Sequence, residues 1–180
     1  MSISQAYNSW ADIYDSNLNK TRDLDRTATQ QTLQKFDFEA VVELGCGTGK
    51  NTTWLEQKAK SIIAMDFSEG MLAKARAKIH SEKVVFRQAD VTQDWGIEGD
   101  SVDLVCCNLI LEHIEDLKGI FRQAYTTLKE GGRFFICELH PFKQYVGSKA
   151  RYETESGEME ILETYNHHIS EFMSDAFEAG

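Results

Sequence analysis

No stretch of this chain approaches the roughly 18 consecutive apolar residues that a membrane-spanning helix needs. Its amino terminus, Met-Ser-Ile-Ser-Gln-Ala-Tyr7, has neither the basic nor the apolar region of a secretory signal. Both absences predict a soluble, cytoplasmic protein with no membrane partner. Positive charge is scarce as well: 19 Lys and Arg stand against 29 Asp and Glu, a net charge of −10. A protein that grips a phosphate backbone needs a basic face, so nucleic acid is not an expected partner. The four cysteines, Cys46, Cys106, Cys107 and Cys137, contain no C-x-x-C pair and lie in or beside apolar runs. Buried reduced thiols are the expected reading, not a redox or metal pair. His140, His167 and His168 follow the last core strand, but their spacing matches no compact zinc motif, and no metal is expected.

What is present suits one globular domain. With 180 residues, 42% of them apolar and 27% charged, the chain can build a full core without disorder. It is organised around residues 41–52. An apolar run, residues 40–44, reads as a buried parallel strand and enters three glycines at alternate positions, Gly45, Gly47 and Gly49. Trp54, Leu55, Lys58 and Ala59 then resume a helical pattern. Strand, glycine loop and helix bring main chain against a ligand at the carboxyl end of a sheet.

The spacing of the glycines narrows the ligand. Counted from Gly45, the last glycine of a dinucleotide G-x-G-x-x-G falls on Lys50, and counted from Gly47 it falls on Thr52. A Walker loop fails because Asn51 follows Gly49-Lys50. A nicotinamide-dependent dehydrogenase and a phosphate cradle are thereby disfavoured. The segment Glu43-Leu-Gly-Cys-Gly-Thr-Gly49 instead resembles the first motif of the class I S-adenosylmethionine-dependent methyltransferases. The resemblance implies a Rossmann-like, three-layer α/β sandwich with a mainly parallel sheet. It also implies that Glu43, Leu44, Gly45, Cys46, Gly47, Thr48 and Gly49 run beneath the methionine part of the cofactor.

Later strand ends fall in register with that motif. Residues 61–66 read as a second strand closing on Asp66, about 20 residues past the glycine loop, where a carboxylate accepts from both ribose hydroxyls of a nucleoside. A turn former or helix cap is the plainer reading of Asp66, although Ser68 can supply that cap. Phe67 and Met71 offer apolar surface to sugar and adenine. Residues 83–90 carry a third strand, and the resemblance implies that Asp90 accepts from the adenine amine while the Val91 backbone meets a ring nitrogen. An ordinary turn acid is the alternative for Asp90. A fourth strand, residues 101–108, leads to Asn108 and Leu109, whose carbonyls would face the cofactor's ammonium group.

The resemblance implies methyl transfer to a small-molecule O, N or C nucleophile. Asn108 is followed by Leu-Ile rather than Pro-Pro, and the only proline is Pro141. These features exclude the subclasses that methylate base amines or cytosine carbon, and the catechol-type Asp-Asp-Asn magnesium pattern is also missing. His113 is the candidate general base. A structural histidine is the alternative, because displacement on a sulfonium depends chiefly on alignment and exclusion of water. A cofactor-binding module without turnover is the non-enzymatic reading.

The flanks are less regular. Tyr7, Trp10, Ile13 and Tyr14 recur at helical spacing, which suits packing onto the domain, while the Tyr14-Asp15 pair resembles the amino-terminal segment of the same family and implies Tyr14 as a lid residue over the cofactor. Residues 21–36 predict a helix with Leu24, Ala28, Leu33 and Phe36 inward. Residues 69–80 predict another, with Met71, Leu72, Ala75 and Ile79 inward. A third follows with Leu117, Ile120, Phe121, Ala124, Tyr125 and Leu128, stopped at Gly131 and Gly132. Residues 133–138 form a fifth strand. His140, Tyr145, Tyr165, His167 and His168 are expected at the pocket mouth. Residues 151–163 predict a hairpin turning at Ser156-Gly157, and residues 170–179 a final helix. The single domain divides into a lid (1–36), a cofactor-binding core (37–140), a substrate-side insertion (141–168) and the last helix (169–180). The carboxyl-terminal strands of the family's seven-stranded sheet find no sequence, so an open apolar edge at residues 134–137 predicts homo-oligomerisation or marginal stability.

Overall fold

A computed structural model describes residues 19–147, 149–153 and 159–180. Tyr14, its neighbouring aromatics and the hairpin tip at Ser156-Gly157 lie outside the described residues. The chain runs α1 (Lys20–Leu33), β1 (Ala40–Leu44), α2 (Thr52–Leu55), β2 (Ser61–Asp66), α3 (Glu69–Lys78), β3 (Val84–Gln88) and β4 (Val102–Asn108). A 3-10 turn (Leu111–His113) follows, then α4 (Lys118–Thr127), β5 (Leu128–Cys137), α5 (Pro141–Tyr145), β6 (Arg151–Glu153), β7 (Met159–Ile161) and α6 (Ile169–Ala179).

Five strands form one parallel sheet in the order β3-β2-β1-β4-β5. Alternation along each strand supplies two faces. Val42, Leu44, Met65, Val105 and Cys107 pack with Ile120, Phe121 and Ala124 of α4 on one face. Val41, Ile62, Ala64, Leu104 and Cys106 pack with Leu33, Leu55 and Leu72 of α1, α2 and α3 on the other. Strands buried on both faces are why these segments read as nearly continuous apolar runs. The three-layer α/β expectation holds, and Cys46, Cys106 and Cys107 are buried free thiols.

The outer elements depart from expectation in instructive ways. Helix α1 buries Leu33 as expected, with Phe36 packed beyond its end, but Asp25 and Thr29 take the inward places expected of Leu24 and Ala28, and Leu24 is 69% exposed. Strand β5 starts five residues early. Leu128 pairs with Val102, residues 129–132 bulge out, and pairing resumes at Arg133 opposite Leu104. At that end of the sheet Asp103 Oδ2 accepts from the Glu39 and Ala40 amides at 2.9 and 2.8 Å, while Oδ1 accepts from Lys129 Nζ at 2.9 Å. The hairpin strands β6 and β7 pair antiparallel as a separate ribbon.

Helix α6 lies against α4, with Phe172 edge-on to Phe121 at 6.4 Å and Lys118 Nζ 3.0 Å from Glu178. The histidines and tyrosines expected at the pocket mouth anchor this region instead. His167 Nε2 lies 2.7 Å from the Ile114 carbonyl, and Tyr145 Oη lies 2.8 Å from His168 Nδ1. The His140 ring caps α5 by accepting from Phe142 N, and Tyr165 N donates to the Glu112 carbonyl. None of these five residues lines the cleft described below.

Candidate functional site

The carboxyl ends of the central strands open onto a cleft of about 310 Å³, at the small end of the range for sites that enclose an organic ligand. Its floor is the glycine loop. Gly45 and Gly47 have φ of 67° and 54°, in the left-handed region that favours glycine. A Cβ on Gly45 would overlap Ile110 Cγ2, so this position is closed by protein. A Cβ on Gly47 would meet no atom of the described residues within 4 Å, although Gly47 lines the cleft. The missing side chain there is room for a ligand.

Asp66 ties β2 to that loop. Its Oδ2 accepts from Gly47 N at 2.8 Å and its Oδ1 from Ser68 N at 2.9 Å. Burial pushes its carboxyl above the ordinary aspartate range, and the amides of Ser68, Gly47 and Phe67 pull it back. Ser68 caps α3 by accepting from Met71 N at 3.1 Å, so Asp66 is not needed as the cap. Phe67, Met71, Ala89 and Val91 give this end an apolar wall. Asp90 also lines it, with one oxygen held by Thr92 N and Thr92 Oγ1 at 2.9 and 2.7 Å, an Asx turn that aims the loop.

The opposite end is polar and owes much to α1. Asn108 Nδ2 donates to Asp25 Oδ1 at 2.6 Å and to Thr29 Oγ1 at 2.8 Å, and Asn51 Nδ2 donates to Asp25 Oδ2 at 3.3 Å. With their amide nitrogens committed to α1, Asn51 Oδ1 and Asn108 Oδ1 are left buried without a partner among the described residues, as is Lys50 Nζ. Arg22, Asp25, Lys50, Asn51 and Asn108 all line the cleft. Burial lowers the Lys50 ammonium below the ordinary lysine value, against the pull of Asp25 and Asp23. Buried polar atoms are normally paired, and desolvating them unpaired is costly. Two carbonyl acceptors beside two cationic side chains suit a ligand carrying an ammonium and a carboxylate. The other end, an acid beside apolar wall, suits a sugar diol and a base. The residues therefore fit S-adenosylmethionine along the length of the cleft.

Glu43 lies beneath the loop, 3% exposed, and accepts from Thr52 Oγ1 at 2.6 Å. Burial pushes its carboxyl up to about 8, opposed by the Thr52 hydrogen bond and aided by Asp66 and Asp25. A carboxyl raised in the fold stabilises below its unfolded value, near 4.5, and that contribution is lost as pH rises through about 8. Between about pH 6 and about pH 9 the wild type should therefore lose roughly 2–3 kcal/mol from this group. Glu43→Gln, which keeps an acceptor for Thr52, should reduce the slope seen in urea melts by this group's share. An unchanged slope would show that Glu43 is ionised in the fold.

Of the residues expected at the site, Glu43, Gly45, Cys46, Gly47, Thr48, Asp66, Phe67, Met71, Asp90, Val91, Asn108, Leu109 and His113 line one cleft. Leu44 and Gly49 do not: Leu44 is fully buried in the core, and Gly49 presses against Ala75 and Ile79. His113 stands on the wall beside Ile110 and Ile114. Its Nδ1 lies 3.0 Å from the Glu163 carbonyl, an acceptor only, so Nδ1 carries hydrogen and the neutral ring has its lone pair on Nε2. Sequence reasoning missed Arg22, Asp25, Thr29, Lys50 and Asn51. The signal for the helical ones was the four-residue recurrence of Asp25, Thr29 and Leu33.

Comparison with known proteins agrees with the geometry. Residues 42–136, more than half of the chain, match the family described as Methyltransferase domain. The chain is 32% identical over 115 residues to a demethylmenaquinone methyltransferase of Clavibacter sepedonicus, covering 63% of this chain and 46% of that protein. It is 32% identical over 126 residues to a phosphoethanolamine N-methyltransferase of Triticum aestivum, covering 66% of this chain and 25% of that one. It thus spans half or less of the length of these two relatives. The fold also matches the solved DhpI–SAH complex, with a TM-score of 0.77 at 23% identity over 98% of this chain and 84% of the other. Glycine loop, strand-end acids, sheet order and family profile coincide in one segment, and the chain belongs to the class I S-adenosylmethionine-dependent methyltransferase family.

Proposed function

We propose that the cleft binds S-adenosylmethionine and that the protein transfers its methyl group to a small-molecule O, N or C nucleophile. The observation that carries this reading is the division of the cleft, with Asp66 and apolar wall at one end and, at the other, Asn51, Asn108 and Lys50 atoms that have no partner among the described residues. When bound, the cofactor supplies an electrophilic methyl on a positively charged sulfur. The chain's own part is alignment and dryness: the glycine loop sets the floor, Asp66 holds that loop to β2, and Ile110 and Ile114 keep water from the reacting side. His113, whose Nδ1 turns to the Glu163 carbonyl, is the candidate to take the proton released on transfer. The two relatives are named for acting on demethylmenaquinone and phosphoethanolamine, which supports a small acceptor. Strand β5 pairs on one side only among the described strands, so self-association through that edge belongs to the same proposal and is read by sedimentation.

Calorimetric titration with S-adenosylhomocysteine and with NAD tests the cofactor. Tight binding of the first and none of the second is expected, and the reverse result would restore the dehydrogenase reading. Binding without transfer to any member of a metabolite panel would make the protein a cofactor-binding module. Once an acceptor is found, His113→Gln should lower kcat by about 100-fold with little change in cofactor affinity if the histidine moves a proton. A loss below about fivefold would assign His113 to packing.

A further inference from the structure

The tip of β5 grips three successive amides of the loop after β4. Leu109 N donates to the Cys137 carbonyl at 3.0 Å. Ile110 N and Leu111 N then donate to one oxygen, Glu138 Oε1, at 2.9 and 3.0 Å. Held this way, Leu109 takes φ of 55°, a conformation that a non-glycine residue adopts only where its surroundings impose it. The same grip sets Ile110 against Gly45 so closely that no Cβ fits between them, and it opens the 3-10 turn that ends at His113. Glu138 itself is not on the cleft wall, but Leu109, Ile110, His113 and Ile114 are.

We infer that Glu138 is a positioning residue of the cleft, acting through the Ile110 and Leu111 amides to fix the wall that closes on the glycine loop and carries His113. The inference rests on the cofactor reading above. It assigns a task to an acid that the binding and transfer steps leave unused. What the geometry asks of the side chain is one acceptor oxygen at the right reach, since both amides converge on Oε1. Burial pushes its carboxyl up to about 8, against the pull of the Leu111 and Ile110 amides. Near neutrality a proton can reside on Oε2 while Oε1 keeps both amides. A glutamine offers the same single oxygen at the same reach, an aspartate retains the charge but falls one methylene short, and an alanine offers nothing.

The test titrates S-adenosylhomocysteine into the wild type, Glu138→Gln, Glu138→Asp and Glu138→Ala, and follows amide hydrogen exchange over residues 109–113. Glu138→Gln should bind within about threefold of the wild type and keep the amides protected. Glu138→Ala and Glu138→Asp should each lose about tenfold or more in affinity, with faster exchange concentrated in that loop. Rescue by glutamine separates positioning from bulk stability. If the alanine variant does not fold, the aspartate and glutamine variants decide. Wild-type affinity and protection in Glu138→Asp would overturn the inference, and so would an equal loss in Glu138→Gln. Failure of the wild type to bind would instead strike the cofactor reading, and the exchange pattern would still judge Glu138.

Discussion

Asp66→Asn should lower the affinity for S-adenosylhomocysteine by about 100-fold or more. The carboxylate uses one oxygen for Gly47 N and the other for Ser68 N. An amide has one oxygen only, so its NH2 must face one of those two N–H groups, donor against donor. The glycine loop or the start of α3 then loses its anchor, and under the proposed cofactor reading a ribose hydroxyl loses an acceptor. Hydrogen bonds to a charged partner are worth about 1.5–3 kcal/mol each, so two of them amount to roughly two to four orders of magnitude in binding. Calorimetry measures this directly. Affinity within about fivefold of the wild type would remove Asp66 from any sugar site.

A paired substitution in the glycine loop should separate folding from binding. Gly45→Ala should cost about 3 kcal/mol of stability. Left-handed φ at a residue with a Cβ accounts for roughly 1 kcal/mol, and overpacking against Ile110 for another 1–3. Ile110 cannot give way easily: it is β-branched, and its amide is held by Glu138. Gly47→Ala carries the backbone strain alone, because its methyl meets no atom of the described residues. It should stay folded with a small drop in melting temperature, yet bind S-adenosylhomocysteine about tenfold or more weakly, since the methyl enters the cleft. Undiminished binding by Gly47→Ala would mean that no ligand lies along the loop.

The sheet was legible because parallel strands buried on both faces leave apolar runs ended by glycine or acid. Val41, Ile62 and Leu104 are such positions, and each stands in register with its neighbours. Helix α1 was harder. Period fixes which residues share a face but not which face turns inward, and its inward face is chosen by Asn108, some eighty residues away in sequence. No local window contains that partner. A buried Asp25 and Thr29 therefore displaced the apolar Leu24, which stands in solvent. The rings of Tyr145, His167 and His168 looked like site residues because polar aromatics after a strand often are. Here their polar atoms fasten α6 and the loop after β4. Glu138 was visible only as the close of an apolar strand, since its task depends on two amides of another loop.

The bulge at residues 129–132 has a practical consequence. It sits where β5 begins, and in a parallel sheet that is the rim opposite the cleft. Gly131 is exposed, with φ of 76° and no atom of the described residues where a side chain would project, while Lys129 stays fastened to Asp103. A peptide tag or fluorophore attachment inserted after Glu130 would therefore leave both packed faces and the ligand end untouched. That offers a tether for immobilised or single-molecule binding measurements.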